Sequence, residues 1–62
     1  MDLSTFIANL ERTITGKEFL IGDLELAKLA GDPIASVVVD FLKIDIDQLC
    51  NILADAKTLE AK

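Results

Sequence analysis

Few residues in this chain could do chemistry, and each lacks a partner. Asp45 and Asp47 begin like a calcium loop, Asp-x-Asp, in which alternate oxygens converge on one cation. The later positions of such a loop fall on Leu49, Cys50 and Ala56, where further ligands and a glycine are required. Helix capping and the favourable placement of acids at a helix N-terminus account for both aspartates instead. Cys50 is the only cysteine, and the sequence contains no histidine to activate it. Its spacing puts it on the inner side of an amphipathic helix, the setting of a small buried hydrophobe. Ser4 and Ser36 lack a base for the same reason, and zinc sites built from cysteine and histidine are excluded. Isolated glycines make no phosphate loop, and acids such as Asp23 and Glu25 read as a solvated face. The expectation is a protein with no catalytic residue, no cofactor and no metal.

Composition narrows the partners. The chain has 62 residues, 52% of them apolar, with eleven acids against six bases and a net charge of −5. A phosphate backbone is held by a basic stripe, which this sequence does not supply, so direct nucleic-acid binding is not expected. Anionic membrane surfaces are disfavoured by the same charge. The start, MDLSTF, lacks the basic and long apolar regions of a secretory signal. The run Ile34–Val39 is interrupted by Ser36 and stopped by Asp40, far short of the ~20 residues needed to span a bilayer. A lone cysteine forms no internal disulfide, which points to a reducing, cytoplasmic setting. Chains this short bury only about 60% of their unfolded surface, so a partner or a second copy is the natural source of further stability.

The elements that would position these residues are helical. Leu3, Phe6, Ile7, Leu10 and Ile14 recur at helical spacing, with Asp2 or Ser4 to cap the start and Gly16 to end the run. Phe19, Leu20, Ile21, Leu24, Leu26, Leu29 and Ala30 spread around the whole circumference. Gly22 weakens this stretch and Asp23 offers a fresh cap, which predicts a helix over 23–30 after a short turn at 17–21. Gly31-Asp32-Pro33 then provides a left-handed terminator, a capping side chain and a first-turn proline in the order that ends one helix and starts another. Beyond it Ile34, Val37, Val38, Phe41 and Leu42 form a stripe widened by Ala35 and Val39. Three valines in a row could also make a strand, but one short strand would have no partner. Asp45 caps the next helix, with Gln48 returning the bond and Ile44 stapling to Leu49. Ile46, Leu49, Cys50, Leu53 and Ala56 make its inner face. The sequence thus predicts an all-α single domain over 1–62, a small bundle of three to four short helices with a helix-turn-helix-like corner at 23–43 and a frayed tail at 59–62.

Leu26, Ala27, Ala30, Gly31 and Val37 give this corner its character, and the segment resembles the helix-turn-helix of bacterial and phage repressors over about twenty residues. The resemblance implies a recognition helix after Pro33. The family pattern has apolar residues where this chain has Asp32 and Asp40, and Pro33–Leu42 contains no Arg, Lys, Asn or Gln to read base edges. A helix offering isoleucine, valine and aspartate to DNA would be repelled.

What remains is a surplus of apolar surface. The second and third expected helices carry more of it than one stripe each, and Ile21, Leu24, Val39 and Ile52 are the residues expected at a protein interface. Asp23, Asp32 and Asp45 are expected as helix caps. The function this supports is a non-catalytic, acidic helical interaction module, a homodimer or higher homo-oligomer that docks an apolar helix face on a protein partner. The alternatives are an acidic decoy or inhibitor of a nucleic-acid-binding protein, in the manner of small phage regulators, and a degenerate helix-turn-helix regulator.

Overall fold

A 3.6-residue period brings side chains four and three apart onto one stripe, and two such stripes zip together when the alternation persists. It persists here through most of the chain. The computed structural model describes all residues, 1–62, and contains two helices, α1 over Leu3–Leu29 and α2 over Pro33–Glu60. The chain is all-α, but the three to four short helices expected from its punctuation are two long ones. Ion pairs join Glu11 to Lys57, Lys17 to Asp45 and Glu25 to Lys43, so the helices run antiparallel as a hairpin. The corner folds α2 back alongside α1, and α2 runs on to Glu60 through part of the expected frayed tail.

The physical reason for the difference lies in the seam. In α1 the buried or half-buried positions along the seam are Leu3, Ile7, Leu10, Ile14, Lys17, Ile21 and Leu24, with Ala27 half-buried beside it, and in α2 the seam is Ala35, Val39, Leu42, Ile46, Leu49, Leu53 and Ala56. Both sets alternate in steps of four and three without a break. Gly16 and Gly22 fall on the side of α1 away from this seam. Each costs roughly 1 kcal/mol relative to alanine, less than is gained by keeping a continuous stripe against α2. Asp23 therefore lies inside α1 and caps nothing, and Asp45 lies inside α2, where an aspartate costs at most about 0.7 kcal/mol of propensity.

The turn follows the chemistry of its residues. Gly31 adopts φ +94°, the left-handed conformation that glycine takes without a Cβ clash. Its N–H donates to the Lys28 carbonyl at 3.0 Å and the Asp32 N–H donates to Ala27 at 3.1 Å, the paired bonds that close a helix C-terminus. The same Asp32 starts α2, its carboxylate accepting from the Ile34 N–H at 2.9 Å and the Ala35 N–H at 3.4 Å, with Pro33 in the first turn. At the far end Asp2 caps α1, accepting from the Thr5 N–H at 2.7 Å.

The result is long and thin, 47 × 15 × 14 Å, with a radius of gyration of 14.3 Å. A compact domain of this length would have a radius near 10.6 Å. Only six residues are buried, namely Ile7, Leu10, Ile14, Ala35, Val39 and Ala56. No helix is long and apolar enough to cross a membrane.

Open space surrounds the Cβ position of Gly16 and of Gly22. Gly16→Ala and Gly22→Ala are each expected to raise stability by about 0.5–1 kcal/mol, while Gly31→Ala lowers it, read from chemical-denaturation midpoints. Asp2 supplies a pH signature. The Thr5 backbone N–H, helped by the Thr5 side chain, holds its carboxyl below the ordinary 3.8. A depressed carboxyl stabilises fully above its unfolded value and loses that contribution as pH falls through the folded value. Acid titration below about pH 3.8 should therefore loosen the first turn, seen as a drift of the Leu3–Phe6 Cα shifts towards coil, and Asp2→Ala should remove that pH dependence.

Candidate functional site

With the seam fixed, the residues beside it form two edges of opposite character. Along one edge α1 presents Glu11, Glu18 and Glu25 at seven-residue intervals, and α2 presents Ser36, Lys43, Cys50 and Lys57 at the same interval. Lys57 Nζ lies 3.6 Å from Glu11 Oε2, and Lys43 Nζ lies 3.5 Å from Glu25 Oε1, with all four side chains about half exposed. Glu18, Ile21, Lys43 and Ile46 line a shallow depression between these pairs, and a second one lies against Thr15, Glu18 and Phe19. Cys50 is exposed on this edge, one position off the seam. The sequence reading placed it inward; the four-three register instead turns Leu49 and Leu53 in and leaves the thiol outside.

The other edge is apolar. Phe6, Thr13, Leu20 and Ala27 recur every seven residues along α1, and Val38, Asp45, Ile52 and Leu59 do so along α2. Thr13 brings no unsatisfied hydroxyl, because its Oγ1 donates to the Asn9 carbonyl at 2.9 Å. The one charged group among the eight, Asp45, is matched from within the seam. Lys17 occupies a seam position, lays its stem between the helices and reaches out to Asp45 at 2.7 Å, close to the midpoint of both helices.

Apolar residues continue onto the outer surface of the first half of α2, where Ile34, Val37, Phe41 and Ile44 are exposed, and onto α1 at Phe19, Leu26 and Leu29. In all, thirteen large apolar residues are exposed against six residues buried. All three phenylalanines are among the exposed set, Phe19 and Phe41 at 74%.

The expected interface residues divide. Ile52 is 46% exposed and lies on the apolar edge. Ile21 and Leu24 are half-buried in the seam, and Val39, expected at the surface, is the most deeply buried residue at 0%. The correction follows from register. Reading bulk as the sign of a core makes Ile34, Val37, Val38 and Phe41 the inner stripe, yet only Ala35, Val39 and Leu42 are in frame with Ile46, Leu49, Leu53 and Ala56. The larger side chains turn outward, so the sequence reading missed Phe6, Leu20, Val38 and Leu59 as edge residues. Their seven-residue spacing was the available signal. Of the expected caps, Asp32 caps α2, Asp23 lies on the α1 surface and Asp45 holds Lys17.

Chemically the arrangement offers side-chain contact. No three acidic or thiol groups converge on a common point. Comparison with known protein families, with characterised proteins and with solved structures finds no match for this chain.

The three ion pairs differ enough to be ranked. Lys17 and Asp45 are closer and less exposed than the other two pairs. A double-mutant cycle with Lys17→Met and Asp45→Asn should return a coupling of about 0.5–1 kcal/mol, and the cycle on Lys43 and Glu25 less than about 0.5 kcal/mol. Equal couplings would contradict the ranking.

Proposed function

We propose that this chain is a non-catalytic protein-docking module that works as a homo-oligomer and presents an apolar helix face to a partner protein in the cytoplasm. The observation that carries the reading is the inverted balance of its surface: thirteen large apolar side chains are exposed on a hairpin with six buried residues. Single exposed apolar residues are ordinary on soluble proteins, whereas thirteen large ones on one short hairpin mark a contact surface. A helix apolar beyond one stripe is stable in water only when something covers the remainder.

The character of the surface also fits docking better than chemistry. Three of its charged pairs close on one another across the seam, and the hydroxyls of Thr13, Thr15 and Thr58 donate to carbonyls four residues back in their own helix. The free thiol of Cys50 suits a reducing compartment. The acidic-decoy reading is the alternative, since Glu18, Asp23, Asp40, Asp47, Asp55 and Glu60 form no ion pair, and it predicts a contact that salt dissolves.

Light scattering across a dilution series tests the reading. The expected result is a mass above that of one 6.7 kDa chain at micromolar concentration. It should survive about 1 M salt, where the Debye length falls to ~3 Å and surface charge pairing is screened. A single-chain mass at every concentration would contradict it, and an assembly dissolved by salt would favour a charge-driven contact.

A further inference from the structure

The docking reading leaves open which surface meets which partner, and resting on that reading the geometry assigns one surface. We propose that the apolar edge formed by Phe6, Thr13, Leu20 and Ala27 of α1 with Val38, Asp45, Ile52 and Leu59 of α2 is where a second copy of this chain docks, closing two hairpins into a four-helix bundle. The Lys17–Asp45 pair sets the register between the copies.

Area supports a second copy. A compact monomer of 6.7 kDa exposes about 3,900 Å² by the scaling of surface with mass, whereas this hairpin exposes 4526 Å². The excess, about 600 Å², is close to the roughly 800 Å² that each partner contributes to a standard stable interface. One further hairpin of the same size is enough to remove it.

Charge selects the edge. Two chains of net charge −5 repel, so a self-contact must use surface on which the charge is cancelled. The apolar edge qualifies, since its one carboxylate, Asp45, is neutralised by Lys17. The opposite edge does not, as Glu18 stands there beside the Glu11–Lys57 and Glu25–Lys43 pairs and would meet its own copy.

Symmetry lets the ion pair be shared between the copies. A twofold contact uses the same patch on both copies, so each group must face its own complement. Lys17 and Asp45 lie side by side near the midpoint of the hairpin. A twofold axis running parallel to the helices sets α1 of one copy over α2 of the other and brings Lys17 of one copy towards Asp45 of the other, and reciprocally, giving four alternating charges in an otherwise apolar contact. A slip of one turn along the helices would set both charges against apolar side chains. This is how a polar group in a helical seam fixes register at some expense of stability.

Cross-linking tests the edge and sedimentation tests the self-contact. Cys50 lies on the charged edge and would end up on the outside of the bundle. Wild-type protein treated with a bifunctional maleimide that spans two neighbouring helices should stay uncross-linked. The Cys50→Ser/Thr13→Cys variant, whose new thiol lies on the apolar edge, should give a covalent dimer. In sedimentation equilibrium the wild type should run as a dimer and Ile52→Asp should weaken the dimer by at least about tenfold, while Cys50→Asp leaves it intact. A dimer that cross-links through Cys50 and not through Thr13→Cys would overturn the assigned edge while sparing self-association. A wild-type monomer at all concentrations would overturn both.

Discussion

A pair of helices has only one line of contact, and the rest of this molecule is organised around that limit. Each helix gives one stripe to the seam, and the frame of α1 from Leu3 to Leu24 meets that of α2 from Ala35 to Ala56. Side chains outside the frame stay outside, whatever their size. Val39 is enclosed because it is in frame, and Phe41, two residues on and far larger, is open to solvent because it is not. The small residues Ala35 and Ala56 are enclosed in the seam, but they bury little area. The hairpin is therefore well specified along its seam and poorly covered everywhere else.

That imbalance gives the two edges their meaning. Lysines and glutamates close one side with pairs at 3.5 and 3.6 Å, the kind of half-exposed contact that adds little energy but keeps the surface wet. Apolar side chains flank the other side, and its one acid is held by a lysine from inside the seam. Placing Lys17 at a seam position forgoes a buried leucine, a costly use of the site if the hairpin were alone. On the proposed self-contact, the pair defines how the two apolar surfaces align.

Much of this was legible in the sequence, and the misreadings share one cause. The helical period, the turn at Gly31-Asp32-Pro33 and the capping role of Asp32 follow from local chemistry, and the structure has all three. The number of helices does not follow from local chemistry. Gly16, Gly22, Asp23 and Asp45 each look like a boundary within a window of a few residues. What overrides them is a stripe that runs from Leu3 to Leu24 and from Ala35 to Ala56, through every one of those apparent boundaries, and it is masked in sequence by Lys17 on one side and by alanines on the other. Bulk misled in the same way: Phe6, Ile34, Val37 and Phe41 resemble core residues until the longer frame of Ile46, Leu49, Leu53 and Ala56 is extended back past Pro33. The surplus of apolar surface was legible, but the residues carrying it were legible only in part, with Ile52 on the open edge and Val39 inside.

The central claim is that one copy of this chain cannot cover its own apolar surface and that its fold is completed by another. Coupling between folding and assembly makes thermal stability depend on protein concentration. Thermal unfolding followed by circular dichroism over a wide range of concentrations tests this most directly. The midpoint should rise steadily with concentration, with helicity lost at the lowest values. A midpoint independent of concentration, with full helicity retained in the most dilute sample, would contradict it.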